Sequence, residues 1–362
     1  MKKLLLLLLL VVLTLSVGAA SAEAASGFLI DVPEGYVQGD PLPLYRATAR
    51  TQAQAGFIGA VNPAWFNPGG QVPRENQDGA GYSLVVFTDE ARLGIGESYI
   101  EYGEYEGVHR MYYADAPDEP AGPFPRPALI NDIASLASGA YFSSKRNGLP
   151  AELEHTELYG VTLDHSLLRV DDLFEKLGVG GYECVFALDM SLPRIRELGA
   201  AETAARTTLK NKSDGWWDFS LAAQADEGFY LRYEKRLSGV PVRDEVFCAE
   251  AYVTASGIRD FTLREDYAAG EIALTPGRLI TAAEAFAAFE RGNARREKHH
   301  LLNPTATGAR LMYMPVRAQN RKEGMVFAPV WYVSYSFEDG VPRDGWAFYS
   351  AVDGALIEDC YT

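Results

Sequence analysis

The residues best suited to metal or acid–base chemistry are two histidines that each follow an acid. These pairs are Glu154-His155 and Asp164-His165, and His299-His300 adds two further imidazoles. Imidazole and carboxylate groups are common zinc ligands in proteins. Adjacent residues usually point apart, however, and surface histidines beside acids are frequent. We therefore predict no metal site and no cofactor, and keep a site built from the two acid–histidine pairs as the alternative.

Signatures of the common hydrolases do not occur in the sequence. The chain has no H-E-x-x-H, which would place two imidazoles on one helix face, and no G-x-S-x-G nucleophile turn. Cys184 and Cys248 lie inside apolar, strand-like runs, whereas a cysteine nucleophile needs a nearby histidine and an electropositive setting. We therefore predict no catalytic residues, and an enzyme is the less favoured expectation.

Acids and aromatic residues give two further candidates for function. Glu101 and Glu104 lie among tyrosines, where paired carboxylates could form a glycosidase-like cleft. Acidic clusters are more often solvated faces, and a row of tyrosines can equally form the interior of a small sheet. The candidate binding surface consists of five aromatic residues: Tyr99, Tyr102, Tyr105, Trp331 and Trp346.

The amino terminus has the three parts of a secretory signal. Lys2 and Lys3 precede an apolar run from Leu4 to Val17, and Ala20-Ser-Ala22 forms an A-x-A cleavage site. An uncleaved membrane anchor over Leu4 to Ala22 is the alternative, because 19 residues nearly suffice to span a bilayer. We predict an extracytoplasmic protein, secreted or in the cell envelope, with membrane contact only if the signal stays uncleaved.

Charge and cysteine content narrow the class of partner and of scaffold. A formal net charge of −16 repels phosphate backbones, so nucleic acid is excluded as a partner. Three cysteines are too few for a disulfide-rich scaffold. Cys184 and Cys248 could pair and leave Cys360 over, or both could be reduced and buried, and the sequence leaves these alternatives open.

The last fifty residues form the clearest structural pattern. Three segments rich in aromatic and β-branched residues cover 310–317, 328–335 and 345–352, and Asp353-Gly354 leads into a fourth at 355–358. Asp-Gly tolerates the positive φ angles of a tight turn. The pattern predicts an antiparallel meander in which Trp331, Val333 and Tyr335 share a buried face.

Earlier in the chain, helical and strand patterns alternate twice. A helix ending at Gly178 precedes several strands between 182 and 263, and the capping box Thr281-Ala-Ala-Glu284 begins a helix before the meander. The predicted fold is α+β, with tandem units of a helix packed on an antiparallel sheet after a small β-rich N-terminal domain. The predicted divisions are 1–22 signal peptide, 23–118 β-rich domain, 119–150 linker and short helix, 151–270 first unit, and 271–362 second unit.

Several short motifs between residues 150 and 362 resemble those of PepSY-like and YycH/YycI-type extracytoplasmic proteins. They are Gly239-Val-Pro-Val242, Gly257-Ile258, Ala283-Glu-Ala285, Tyr313-Met-Pro-Val316, Pro329-Val-Trp331 and Asp353-Gly354. The resemblance implies a helix packed on a short antiparallel sheet, often in tandem. It also implies non-catalytic regulation of sensor kinases or proteases, or inhibition in the manner of a propeptide. Kinase regulators of this type usually keep an N-terminal membrane helix, from which the apparent cleavage site departs.

The sequence therefore predicts a secreted or envelope-associated, non-catalytic protein that binds or regulates another extracytoplasmic protein. Two alternatives come from other classes. One is an exported hydrolase acting on cell-wall glycan or peptide through Glu101 or Glu104. The other is a propeptide-like inhibitor of a protease.

Overall fold

Strands and helices of this chain fall into two compact units, each built on its own large sheet. A computed structural model describes residues 29–49, 74–76, 82–87, 91–96, 99–104, 126–127, 130–147, 153–208, 217–243, 247–265, 267–318 and 324–360. The first unit consists of residues up to 46, 238–240 and 271 onwards, and the second of 47–237 and 241–270. No helix in the described part of the chain has the length and apolarity needed to cross a membrane.

The first unit is organised around a seven-stranded sheet. Its strands are β1 (Leu29–Asp31), β2 (Leu44–Ala49), β16 (Tyr267–Leu274), β17 (Leu302–Arg317), β18 (Met325–Glu338), β19 (Pro342–Ser350) and β20 (Leu356–Asp359). The order is β1-β17-β18-β19-β20, and β2 pairs with both β18 and β16. Strands β17 to β20 are successive antiparallel neighbours, which confirms the predicted meander. Strand β1 runs parallel to its neighbour β17.

One face of the meander is covered by a helix whose start was predicted. Helix α4 (Ala282–Arg291) begins at the capping box, where Thr281 accepts from the Glu284 amide and Glu284 accepts from the Thr281 amide. The short helix α5 (Asn293–Lys298) follows at once. Trp331, Val333 and Tyr335 are fully buried, and the ring of Tyr335 lies 5.0 Å from that of Phe289 on α4.

Helix α5 contributes a buried cation, Arg296, to this core. Arg296 is fully buried, and its guanidinium lies 2.7 Å from Oδ2 of Asp359, which is also buried. It donates to the Phe289 carbonyl at 2.8 Å and to the Tyr349 hydroxyl at 2.6 Å, while Tyr335 donates to Asp359 at 2.7 Å. Burial lowers the pKa of Arg296, but the hydrogen bond to Tyr349 and the charge of Asp359 outweigh it and raise the pKa. Arg296 therefore stays charged, and Asp359 serves as its counter-ion.

The second unit is organised around a nine-stranded antiparallel sheet. Its strands are β3 (Arg74–Asn76), β4 (Tyr82–Phe87), β5 (Ala91–Gly96), β6 (Tyr99–Glu104), β10 (Tyr182–Met190), β12 (Gly228–Leu237), β13 (Val240–Pro241), β14 (Phe247–Thr254) and β15 (Gly257–Glu265). The order is β10-β12-β14-β15-β6-β5-β4-β3. Two short pairs complete the set: β7 (Arg126–Pro127) with β11 (Trp217–Asp218), and β8 (Glu157–Leu158) with β9 (Val161–Thr162).

Helices cover both faces of the central strands in this unit. Helix α2 (Leu163–Leu177) packs on the face that carries Phe229 and Leu231, while α1 (Ile130–Asn147) and α3 (Leu192–Thr208) pack with Tyr230 on the opposite face. Strand β12 is therefore buried from Gly228 to Lys235, because successive side chains enter different cores. As predicted, Gly178 ends α2 with a left-handed φ of 63°.

The predicted arrangement of tandem helix-on-sheet units after a separate β-rich domain is wrong. Strand β6, which was assigned to the N-terminal domain, pairs with β15 in register from Gly103↔Asp260 to Tyr99↔Arg264. The early strands thereby extend the large sheet of the second unit, and the protein is a β-rich α+β fold with large antiparallel and mixed sheets. Alternation of apolar residues shows that a segment is a strand, but it does not show which distant strand pairs with it. The predicted domain boundaries stay a prediction.

Candidate functional site

The clearest chemical cluster in the second unit combines one histidine, two acids and one arginine. Glu154 and His155 lie just before β8, Asp189 lies near the end of β10, and Arg194 lies in the first turn of α3. We call these four residues the carboxylate–histidine cluster. Asp189 pairs with Phe229 across the sheet, so its side chain points toward the α2 side, and it is completely buried.

Three groups hold the buried carboxylate of Asp189. Its Oδ1 accepts from the Glu154 amide at 2.9 Å and lies 3.0 Å from the Arg194 guanidinium. Its Oδ2 lies 2.6 Å from Nδ1 of His155. The second nitrogen of Arg194 lies 2.8 Å from Oε1 of Glu154, so one guanidinium bridges two acids. A buried carboxylate with this many partners is fixed in position, and it in turn fixes the imidazole.

The acid–histidine site predicted from sequence is only partly assembled by the fold. Glu154 and His155 join Asp189, and all three ligand atoms lie within 4.8 Å of one another. Asp164 and His165 instead occupy the exposed first turn of α2 and do not belong to this group. Sequence reasoning missed Asp189 and Arg194. The available signal was an acid inside the apolar run 182–190, a placement that requires a partner once the strand is buried.

A surface groove between α1 and α3 is the main cavity of interest in the second unit. Its volume is about 610 Å³. The side chains that line it are mostly small or apolar: Ser135, Leu136, Gly139, Ala140, Ser143, Leu198, Ala201, Ala205 and Phe219. Asp132 and Glu202 add two carboxylates. The lining residues of α1 recur at positions i, i+4 and i+8, a signal for one helix face that the sequence analysis did not use.

The groove depends on a glycine in α3. A Cβ built on Gly199 would lie 2.4 to 2.6 Å from three carbons of Phe219, so this ring packs directly on the helix backbone. Gly139, on α1, differs because a Cβ there would meet no atom within 4 Å. Glycine at position 199 therefore allows Phe219 to contact the α3 backbone, whereas glycine at position 139 leaves space beside α1.

The candidate aromatic binding residues are spread over different environments. Trp331 is fully buried, and its indole N–H donates to the Ile280 carbonyl at 2.9 Å, so it cannot contribute to a surface. Trp346 is partly buried on the opposite face of the sheet, with its ring 5.4 Å from Phe348. The strand register explains this difference. Trp331 pairs with Tyr349, whereas Trp346 pairs with Ser334, whose side chain points to the other face of the sheet.

The tyrosines of the candidate surface lie on or beyond β6. In the backbone register, Tyr99 pairs with Arg264 and Tyr102 pairs with Phe261. Tyr105 lies outside the described residues. Glu101 pairs with Thr262, and Glu104 pairs with Ala91. A binding role for Tyr99, Tyr102 and Tyr105 stays a prediction.

No disulfide joins any of the three cysteines in the described residues. Cys184 lies opposite Tyr233 and Cys248 lies opposite Glu234, so β12 separates the strands that carry them. Two strand spacings amount to about 9.5 Å. Because a disulfide requires Cα atoms closer than about 7 Å, Cys184 and Cys248 cannot pair in this fold.

We predict that Cys184 reacts slowly with alkylating agents near neutral pH. The side chain of Cys184 is exposed, but partial desolvation of its thiol by the surrounding atoms raises the pKa to about 11, so the reactive thiolate forms only at alkaline pH. In a chain with Cys248→Ser and Cys360→Ser, iodoacetamide should modify Cys184 about 100-fold more slowly at pH 8 than it modifies a thiol of ordinary pKa near 8.5. The rate should rise with pH up to about 11. A profile that levels off near pH 8.5 would contradict the prediction.

Comparisons with known proteins give little guidance to function. No protein-family model matches the chain, and no curated protein does. Among solved structures, an uncharacterized protein from Eubacterium rectale is similar with a TM-score of 0.49 and 11% identity, over 91% of this chain and 89% of that one. A similarity this low carries neither fold nor function across. The resemblance to PepSY-like and YycH/YycI-type proteins stays a prediction.

Proposed function

We propose that this protein is an exported, non-catalytic binding protein that holds an apolar, basic segment of another extracytoplasmic protein. The observation that carries the proposal is the groove between α1 and α3. Its volume of about 610 Å³ falls within the range of about 300–1,000 Å³ that is usual for ligand sites. The secretory signal predicted at residues 1–22 supports the extracytoplasmic location.

The lining of the groove suits a polypeptide segment better than a chemical reaction. Small residues, which are glycine, serine and alanine on α1 and alanine on α3, let a bulky side chain or a helix approach the backbone closely. The lining contains no histidine, cysteine or lysine, so it offers no nucleophile paired with a nitrogen base. The carboxylates of Asp132 and Glu202 favour a partner that places basic residues at the groove.

A groove-filling variant tests the proposal without disturbing the core. Gly139→Leu places a side chain where a Cβ meets no neighbour, so it should fold normally and block the groove. Gly277→Leu is the matched control, because it is equally unobstructed and lies in the other unit. Each mature chain is used as bait in envelope extract. A partner should bind to the wild type and to the control but at least about 10-fold less to Gly139→Leu, a loss of about 1.4 kcal/mol.

Charge variants refine the same experiment. Asp132→Asn and Glu202→Gln should weaken binding and reduce its dependence on salt, because the attraction to a basic partner is screened by ions. Equal recovery by Gly139→Leu and wild type would refute the groove as the binding site, and failure to recover any partner would count against a binding role. If the wild type cleaves a cell-wall glycan or peptide and Glu101→Gln or Glu104→Gln does not, the protein is a hydrolase. Slowed turnover of a metalloprotease by the mature chain would support the propeptide-like inhibitor.

A further inference from the structure

The carboxylate–histidine cluster has the components of a metal site that the proposed binding function does not require. One imidazole nitrogen and two carboxylates converge within 4.8 Å in the second unit. We propose that Glu154, His155 and Asp189 bind a divalent transition-metal ion, with zinc as the expected ion. This site is independent of the groove between α1 and α3, since no lining residue of the groove belongs to it.

Arg194 positions the ligands without using all of their oxygens. Its guanidinium binds Oδ1 of Asp189 and Oε1 of Glu154, one oxygen from each acid. This leaves Oε2 of Glu154, while Oδ2 of Asp189 faces the His155 ring. Bound in this way, Arg194 acts as an outer group that orients the carboxylates, as hydrogen-bonding residues around metal ligands commonly do.

Exposure of two of the three ligands allows an ion to enter from solvent. Asp189 is completely buried and held by its partners, whereas 48% of the His155 side chain and 64% of the Glu154 side chain are exposed. Zinc bonds of about 2.1 Å in tetrahedral geometry separate ligand atoms by about 3.4 Å. The present separation of Nδ1 and Oδ2 is 2.6 Å, so the half-exposed imidazole must move outward by only about 0.8 Å.

The chemistry of binding is a replacement of one hydrogen bond by ligand bonds. On binding, Nδ1 of His155 gives its lone pair to the ion, and the ring then carries a proton only on Nε2. Two carboxylates and one guanidinium give the cluster a net charge of −1, which attracts a divalent cation but less strongly than two free acids do. Calcium and magnesium prefer six or more oxygen ligands, so one imidazole and two carboxylates favour zinc.

Calorimetric titration of the metal-free mature chain with zinc tests this proposal. The background carries Cys184→Ser and Cys360→Ser to remove the two exposed thiols, which could themselves bind zinc. One equivalent should bind at micromolar concentration, and zinc should raise the melting temperature because it binds only the folded site. His155→Ala and Glu154→Gln should each weaken binding by roughly 10- to 100-fold or more. His165→Ala, an exposed histidine outside the cluster, is the control and should bind as the wild type does.

The outcomes separate this site from the proposed binding function. Undiminished zinc binding in both His155→Ala and Glu154→Gln, or no zinc binding at millimolar concentration, would overturn the metal site. Tighter binding of calcium than of zinc would overturn the choice of ion. Because Gly139→Leu leaves the cluster intact, it should bind zinc normally even if it no longer binds a protein partner. A second readout is the NMR signal of the His155 ring, which should shift with zinc at Nδ1 in the wild type.

Discussion

Replacing Arg296 with methionine should lower the free energy of unfolding by about 3–5 kcal/mol. Methionine fills much of the same volume but removes the guanidinium that lies 2.7 Å from the buried carboxylate of Asp359. The phenol of Tyr349 and the carbonyl of Phe289 would each lose one donor, although the Phe289 carbonyl keeps the Gly292 amide. The cost therefore comes mainly from the buried charge of Asp359, which loses the guanidinium and keeps the hydroxyl of Tyr335. Urea or guanidinium denaturation followed by fluorescence measures it.

Two further variants show whether burial of the ion pair causes the loss of stability in Arg296→Met. Arg278→Met removes an ion pair with Glu284 that is exposed to solvent, so it should leave the denaturation midpoint almost unchanged. In the double variant Arg296→Met, Asp359→Leu, the orphaned carboxylate is removed as well, and the loss should be smaller than the sum of the two single losses. Equal losses for Arg296→Met and Arg278→Met would show that the buried network contributes no special stability.

The second large effect is expected for the two tryptophans that the sequence placed together on a binding surface. Trp331→Ala should destabilise the protein by about 3–5 kcal/mol, because it leaves a cavity beneath α4 and an unpaired carbonyl at Ile280. Trp346→Ala removes a partly exposed ring and should cost only about 1–2 kcal/mol.

The comparison of these two variants separates a structural from a binding role. Any loss of partner binding in Trp331→Ala should follow the loss of folded protein, as measured by circular dichroism at the same temperature. Trp346→Ala should stay folded, so a loss of binding in this variant would assign it to the interface. Similar destabilisation by the two variants would contradict the burial difference between the two faces of the meander.

Local features of the fold were predictable because each rests on a few neighbouring residues. The capping box at Thr281 and Glu284, the left-handed glycine at Gly178 and the meander all follow from short-range hydrogen bonding or from the two-residue period of a strand. The buried face of Trp331, Val333 and Tyr335 follows from the same alternation. The prediction was wrong about which strands pair when those strands are far apart in the chain, as β6 and β15 are.

The candidate site shows the same division between local and distant information. Glu154-His155 attracted attention because an acid and an imidazole are adjacent, yet its essential partner Asp189 is 34 residues from His155. Arg194 follows on the next element and bridges both acids. No periodic pattern connects these positions, so the cluster exists only because β10 and α3 bring their ends to the segment before β8.

By itself, the sequence determined the meander of β17 to β20, the end of α2, the start of α4 and the excess of acids that disfavours nucleic acid. Tertiary structure alone decided that β6 joins β15, that Trp331 and Trp346 face opposite sides, and that Asp189 meets His155. The physical reason is the separation along the chain over which each interaction acts. Capping and alternation act within a few residues, whereas strand partners and buried charges are chosen by the packing of the whole unit.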